Sequence, residues 1–449
     1  MLYKFHLNIF IVSLLTFGFI TALAYTKSVS VMTLSSLVAL TTQLALMVYF
    51  SRDDEESYSE RTLFYTVLIY TFFLGIFFML ISEFYDGDNF LFSKKDAMYY
   101  YRLSSQAASK GLSKGIKFIV DGYTFEDWGA LIFDTFVLYL IPSKLFLNVI
   151  YTVLGAISSV LLYRIGKPFM PDNFAYLAAL AYSTSSYIVF FNCSFLKESL
   201  FVFVVICAFY YLYCAISYHS NQSLISAAVC IGLLFFFRPA VAAMIAASIF
   251  CYYGITQKGN AISLFLYGAA VVVLLASLKT AQEMFDNNTS GGNMDAVIAD
   301  TSNQAYSGGF NYFVSFFGAF FGPFPTLLPK VSGPSSLEYQ GAGLAYKLFL
   351  VFPFWYGIYS VLKNKLLELT PIVLFILMEM LLTAAVCASL ELRKVLLHVP
   401  FMYIIAFYGV HKGFSPHQVT RLTSIICYAF FIAVLLLWNV LKAENVQDT

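Results

Sequence analysis

Charge is what this sequence has least of. Of its 449 residues, 11% are Asp, Glu, Lys or Arg, against about 25% in an average soluble domain, which excludes an ordinary water-soluble fold. The net charge is +1, so the basic footprint that nucleic acid demands is missing, and nucleic acid is excluded as a partner. No acidic or basic tail stands out. The seven cysteines, at 193, 207, 214, 230, 251, 387 and 427, lie in or beside apolar runs and lack the paired spacing of a zinc site or disulfide framework. They read as small residues facing lipid or core. The five histidines, at 6, 219, 398, 411 and 417, never fall at i, i+4, which argues against a histidine metal site.

What is abundant is apolar side chain, 60% of residues, with 33 Tyr and 48 Phe. The chain is therefore expected to be all-α and polytopic, because only helices or closed barrels satisfy their backbone in lipid. A helix needs about 20 residues to cross the hydrocarbon core. Such stretches fall near 8–25, 31–50, 62–84, 145–163, 173–192, 198–217, 222–237, 239–256, 260–278, 344–362, 369–388, 395–411 and 421–441, about thirteen spans. The first 25 residues, with Lys4 and "ALA" at 22–24, imitate a secretory leader. A second apolar run follows at once, so an uncleaved first helix is expected. Two further apolar runs suit spanning poorly: 129–141 is short and contains Asp134, and 310–328 contains Gly318, Gly322, Pro323 and Pro325. These read as re-entrant or interfacial pieces.

Lysine and arginine in the short loops put the N-terminus inside, with Arg52, Arg61, Arg164, Lys167, Lys258, Lys363, Lys365, Lys412 and Arg421 on the same side. The outer side then holds a large loop, 85–144, after the third span, a second loop near 279–343, and the charged turns containing Lys197/Glu198, Arg238 and Glu391/Arg393/Lys394. That parity assumes 310–328 does not cross. Within the first loop, spacing predicts a helix from Asp96 to about Ala108 with Tyr99, Leu103 and Gln106 on one face. Asp96 would sit at its positively polarised N-terminus. The second loop is polar and Gly-rich. No internal repeat is visible, so neither a solenoid nor an obvious inverted-repeat transporter is supported. The expected domains are an N-terminal hairpin with its cytoplasmic loop (1–61), a catalytic transmembrane domain (62–441) and a short polar tail (442–449).

Ionisable residues at membrane depth are costly and tend to mark function. Any one of these cations also suits plain snorkelling to headgroups, and Lys197–Glu198 also suits an end-of-helix pair. Together, however, cations and carboxylates at the outer ends of separate helices suit an anionic headgroup such as phosphate or diphosphate. A nearby carboxylate suits a general base toward a sugar hydroxyl. The chemistry so implied is glycosyl transfer from a lipid phosphate, with fixed cations stabilising the departing charge.

The motifs "KDAMYYYRLSSQAA" (95–108), "LKES" (196–199), "FRP" (237–239), "FFGPFP" (320–325) and "ELRKVLLHVPFMYIIAFYGV" (391–410) together resemble the bacterial GT-C-like polytopic glycosyltransferases. Among these the chain is most similar to the Wzy-type polymerases of O-antigen, capsule and exopolysaccharide synthesis, over about residues 60–415. The resemblance implies an enzyme of the bacterial inner membrane with a periplasmic-facing site for polyprenyl-diphosphate-linked oligosaccharide, needing no cofactor, with other assembly proteins such as a chain-length regulator as possible partners. Asp96 stands where GT-C enzymes keep an acidic residue in the first outer loop, and Arg393 stands in the late "R…P" motif. The loop reads "KKDA" and lacks the paired acidic "DE". The candidate catalytic residues are Asp96 and Glu198. The candidate phosphate- or substrate-binding residues are Lys197, Arg238, Arg393, Lys394, Glu391, Arg102 and His398. Two rival readings are kept: a single-sugar transferase or ligase of the same fold, and a lipid-linked oligosaccharide flippase.

Overall fold

The computed structural model describes residues 31–51, 58–87, 90–91, 96–123, 125–256, 318–322, 336–385, 393, 395–413, 429 and 433. The expected spans 8–25, 260–278 and 421–441, the tail 442–449, most of the loop 279–343, and Glu391 and Lys394 lie outside the described residues. Among those described, all regular structure is helical.

Helices α1 (Val31–Phe50) and α2 (Glu60–Asp86) open the bundle. The loop expected on the outer side folds into α3 (Asp96–Ser109), α4 (Leu112–Gly122), a 3-10 turn (Phe125–Asp127) and α5 (Trp128–Leu140). Then come α6 (Lys144–Gly166), α7 (Asp172–Ser183), α8 (Ser186–Cys193), α9 (Lys197–Tyr218), α10 (Asn221–Leu234) and α11 (Pro239–Thr256). After the undescribed stretch follow α12 (Ser336–Phe349), α13 (Val351–Lys363), α14 (Thr370–Ala385) and α15 (Val399–Gly413).

Helix starts follow local chemistry. Ser59, Ser143 and Ser220 each accept a hydrogen bond from the backbone N–H three residues on, satisfying one of the orphan donors of a first turn. Gly87, at φ 69°, closes α2 by donating its N–H to Glu83 O, a left-handed position that glycine adopts without a Cβ penalty. Pro239 opens α11, where its missing N–H costs nothing.

Among the described residues four helices are long and apolar enough to cross a membrane: Glu60–Phe84, Lys144–Gly166, Lys197–Tyr218 and Leu367–Ala384. They fall close to the expected 62–84, 145–163, 198–217 and 369–388. Two other expected spans, 173–192 and 344–362, are broken, the first bending by 54° between α7 and α8 and the second by 47° between α12 and α13. Counting each bent pair once gives up to six spans among the described residues. The expected span 222–237 is α10, whose 14 residues reach about 21 Å, short of a hydrocarbon core of about 30 Å.

The breaks have local causes. In "STSS", 183–186, Thr184 turns its hydroxyl back onto Leu180 O at 2.7 Å, and Ser185 is extended at φ −60°, ψ 128°. Such side-chain bonds compete with helix continuation. Pro353 has no N–H to offer Phe349 O, and its ring crowds that carbonyl, so the helix restarts beyond Leu350. Non-helical backbone at membrane depth is tolerated only where protein or a cavity covers it. Here α12 supplies the cover: Gly343 N donates to Ser186 Oγ at 2.8 Å.

The core is one continuous apolar cluster running from α1 to α15. The closest approach within it is between α13 and α15, where Gly357 lies on the Ile405 carbonyl and Gly409 on the Pro353 carbonyl with no room for a Cβ. Small residues at such crossings let backbones meet where lipid gives little hydrophobic drive. The outer cap has its own minor core of Leu103, Ala107, Ile119 and Leu131. Of Tyr99, Leu103 and Gln106, which recur at helical spacing on α3, only Leu103 is buried, with Ala97, Ser104 and Ala107.

Candidate active site

Where α3, α5, α9 and the α10–α11 turn meet, the scarce charges converge. The connection from α8 to α9 is only Ser194, Phe195 and Leu196, with Phe195 buried at φ 56°. A left-handed bulky residue is an outlier held by its surroundings. Its ring packs against Phe90 at 6.2 Å and Tyr101 at 6.1 Å. The Lys144 ammonium sits over this group, 3.2 Å from the Phe90 ring centre, 5.2 Å from Phe195 and 6.0 Å from Tyr101. The aromatic box ties the segment after α2, α3, α6 and the start of α9 together, and so fixes where Lys197 and Glu198 emerge.

Lys197 Nζ lies 2.6 Å from Asp127 Oδ1, and the Tyr100 hydroxyl donates to the same oxygen at 2.6 Å. Arg238 lies 3.6 Å from Glu198, whose side chain is only 5% exposed, and the guanidinium also faces the Phe201 ring at 5.6 Å. Arg393 donates to Asp96 Oδ2 at 2.6 Å across 297 positions of sequence. Tyr100 lies within electrostatic reach of Asp127, Glu198 and Asp96 together. Burial, then the bond to Asp127, hold its phenol far above the usual range, so it remains a donor.

The packing that makes this junction is tight. Gly129 donates its N–H to Phe236 O at 3.0 Å, and a Cβ on Gly129 would lie 2.6 Å from the Phe237 ring. Phe237 in turn stacks on Phe201 at 5.8 Å. Asp127 and Arg238 are thereby set on either side of one backbone contact. Below them a small cavity is lined by Asn192, Ser199 and Leu396 among others, which places the turn after Arg393 beside the start of α9. Ser199 Oγ has no protein hydrogen-bond partner.

Beside the cluster, Asp134 of α5 is buried and accepts from the Tyr151 hydroxyl at 2.8 Å, its other oxygen having no protein partner. Burial pushes the Asp134 carboxyl up to about 7. Tyr151 is itself within reach of Glu198 and Tyr100.

Of the residues singled out from sequence, Asp96, Lys197, Glu198, Arg238 and Arg393 come together, each cation meeting a carboxylate. Arg102 is exposed on α3 and makes no ion pair among the described residues. His398 is fully buried on Glu379 and joins none of the three pairs. Asp127 and Tyr100 went unnoticed in the sequence. The available signal was position: Asp127 stands directly before the apolar run of α5, as Lys197 stands before that of α9. Among the described residues no group of three His, Cys, Asp or Glu gathers in a way that would hold a metal ion.

Residues 135–279 match the dolichyl-phosphate-mannose-protein mannosyltransferase family. The match supports a GT-C-like membrane glycosyltransferase. The matched segment contains Lys197, Glu198 and Arg238, and covers less than half of the chain. No curated protein matches the chain. With the long apolar helices, the likeness suggests a multi-pass membrane protein acting on lipid-linked sugars.

Proposed function

We propose that the chain is a membrane glycosyltransferase that takes a sugar or oligosaccharide from a polyprenyl diphosphate at the outer face of the inner membrane, and that it polymerises the lipid-linked repeat units of a surface polysaccharide. The observation that carries the reading is the Asp96–Arg393 pair. Both side chains are nearly half exposed, 47% and 43%, and an ion pair so placed contributes little to stability. Such an exposed pair gives up one partner for another at little cost. When a donor phosphate arrives, Arg393 turns to it in the bidentate geometry guanidinium favours. The Asp96 carboxylate is then released to take the acceptor hydroxyl's proton as the bond from sugar C1 to phosphate oxygen breaks and the bond from C1 to acceptor oxygen forms. Lys197 and Arg238, already fixed by Asp127 and Glu198, face the charge that grows on the leaving phosphate.

The family match favours a second reading, transfer of a single sugar from a lipid phosphate. Reconstitution with a purified lipid-linked repeat unit separates the two. Chain extension by the protein alone supports the polymerase, and a single addition supports the transferase. Long-chain surface glycan made at normal protein level by both Arg393→Ala and Arg238→Ala would remove both readings of this site.

A further inference from the structure

Two ionisable side chains lie buried on helices away from the proposed site. Glu379 sits in the middle of α14, 1% exposed, and Lys347 near the end of α12, 2% exposed. Each holds a residue outside regular helix. Glu379 Oε2 accepts from His398 Nδ1, and Lys347 Nζ donates to Gly322 O. The two are within electrostatic reach of each other. His398, fully buried, ends the turn that begins at Arg393, and its carbonyl accepts from Met402 N at 2.9 Å to start α15. Val395, Leu396 and Leu397 between them are buried as well.

A purely apolar contact would hold this turn against the bundle equally well, since buried ion pairs are poor sources of stability. What a hydrogen bond at one rotamer adds is direction. The chain places a charge where charge is costly, at the point that fixes the orientation of the turn carrying Arg393. We infer that Glu379 and His398 are positioning residues: an internal latch that holds the Arg393 turn in register with Asp96. The inference rests on the proposed role of Arg393, while the latch itself can be tested without it.

The test uses full-length protein in lipid nanodiscs, freed of native cysteines and spin-labelled at Arg102→Cys and Arg393→Cys, with pulsed EPR reading the distance distribution. We expect a narrow distribution in the parent, a broad one in His398→Leu, and a return to narrow in His398→Asn, whose amide N–H replaces that of Nδ1. An unchanged distribution in His398→Leu, or one as broad in His398→Asn, overturns the latch. Should His398→Leu fail to accumulate, Glu379→Met removes the acceptor instead, and an unchanged distribution there has the same force. In unlabelled enzyme, His398→Leu should lower kcat by about 10²-fold, the cost of a misplacement of about an ångström, with KM for the lipid donor within about twofold, and His398→Asn should restore it. Absence of transfer in the parent would overturn the proposed function and leave the distance experiment standing.

Discussion

The two ends of the bundle use the same residue types in opposite ways. At the end expected to be cytoplasmic, Arg164 and Glu60 form a two-pronged pair at 2.6 and 2.9 Å, and Lys167 meets Asp172 at 3.0 Å. All four side chains are between 42% and 52% exposed. At the other end the Arg238–Glu198 and Lys197–Asp127 pairs are no more than 24% exposed, and of the three only Arg393–Asp96, at 43% and 47%, is as open as the first set. Exposed pairs are worth at most about 1 kcal/mol, whereas a buried pair is dangerous to break and seldom improves on an apolar contact. The first set decorates a boundary. The second is carried at a cost and is best explained by what the end of the molecule does.

The contrast breaks most sharply at Arg238. Arg238→Ala leaves the Glu198 carboxylate 5% exposed and uncompensated, and a loss of about 3–5 kcal/mol is expected, read as a fall in melting temperature in detergent micelles. A loss under about 1 kcal/mol would erase the distinction between the ends. Next comes Asp134. Burial raises its folded-state carboxyl from 3.8 to about 7, so between those values the folded chain holds a proton the unfolded chain has lost, and stability falls as pH rises from about 4 to about 7. Asp134→Asn still accepts from Tyr151, and should flatten this slope and stabilise the protein at pH 8 by at most about 4 kcal/mol. Melting curves from pH 4 to 8 with an unchanged slope would contradict it.

Arg393→Ala separates function from stability. The pair is exposed, so melting should shift by less than about 1 kcal/mol, while transfer from lipid-linked donor should fall by about 10²- to 10³-fold, as when a charge-stabilising donor is lost. Equal losses in both would make the pair structural. The smallest effect is expected at the opposite end, where a double-mutant cycle of Glu60→Ala and Arg164→Ala should give a coupling below about 1 kcal/mol with transfer unchanged. A larger coupling, or lost activity, would mean that this end also serves the reaction.

Much of this was legible in the sequence. Uninterrupted apolar runs locate α2, α6, α9 and α14 because a spanning helix leaves no other option, and Asp96 to Ala108 was readable as a helix from spacing. The breaks at Ser185 and Leu350 were hidden, because hydropathy does not register hydroxyl back-bonding or one early proline within an apolar run. The first outer loop read as a loop containing one helix. It holds three, because α3, α4 and α5 share a small core of Leu103, Ala107, Ile119 and Leu131 while α5 also buries Ala130, Val137 and Leu138 in the bundle, a tertiary fact. Most of the site was visible: its cations and two of their carboxylates, Asp96 and Glu198, stand out in a chain poor in charge, but Asp127 and Tyr100 do not. Asp127 is 70 positions from Lys197, and no local pattern links them.

The aromatic box around Lys144 makes one more difference between regions. Ring faces attract a cation through their quadrupole and at contact distance, whereas exposed ion pairs weaken as the Debye length shrinks to about 3 Å at 1 M salt. In brine the junctions at Glu60 and Lys167 should slacken while the knot at Lys144 stays tied. The aromatic packing that sets where α9 begins would then outlast the exposed ion pairs in changing osmotic surroundings, Arg393–Asp96 among them.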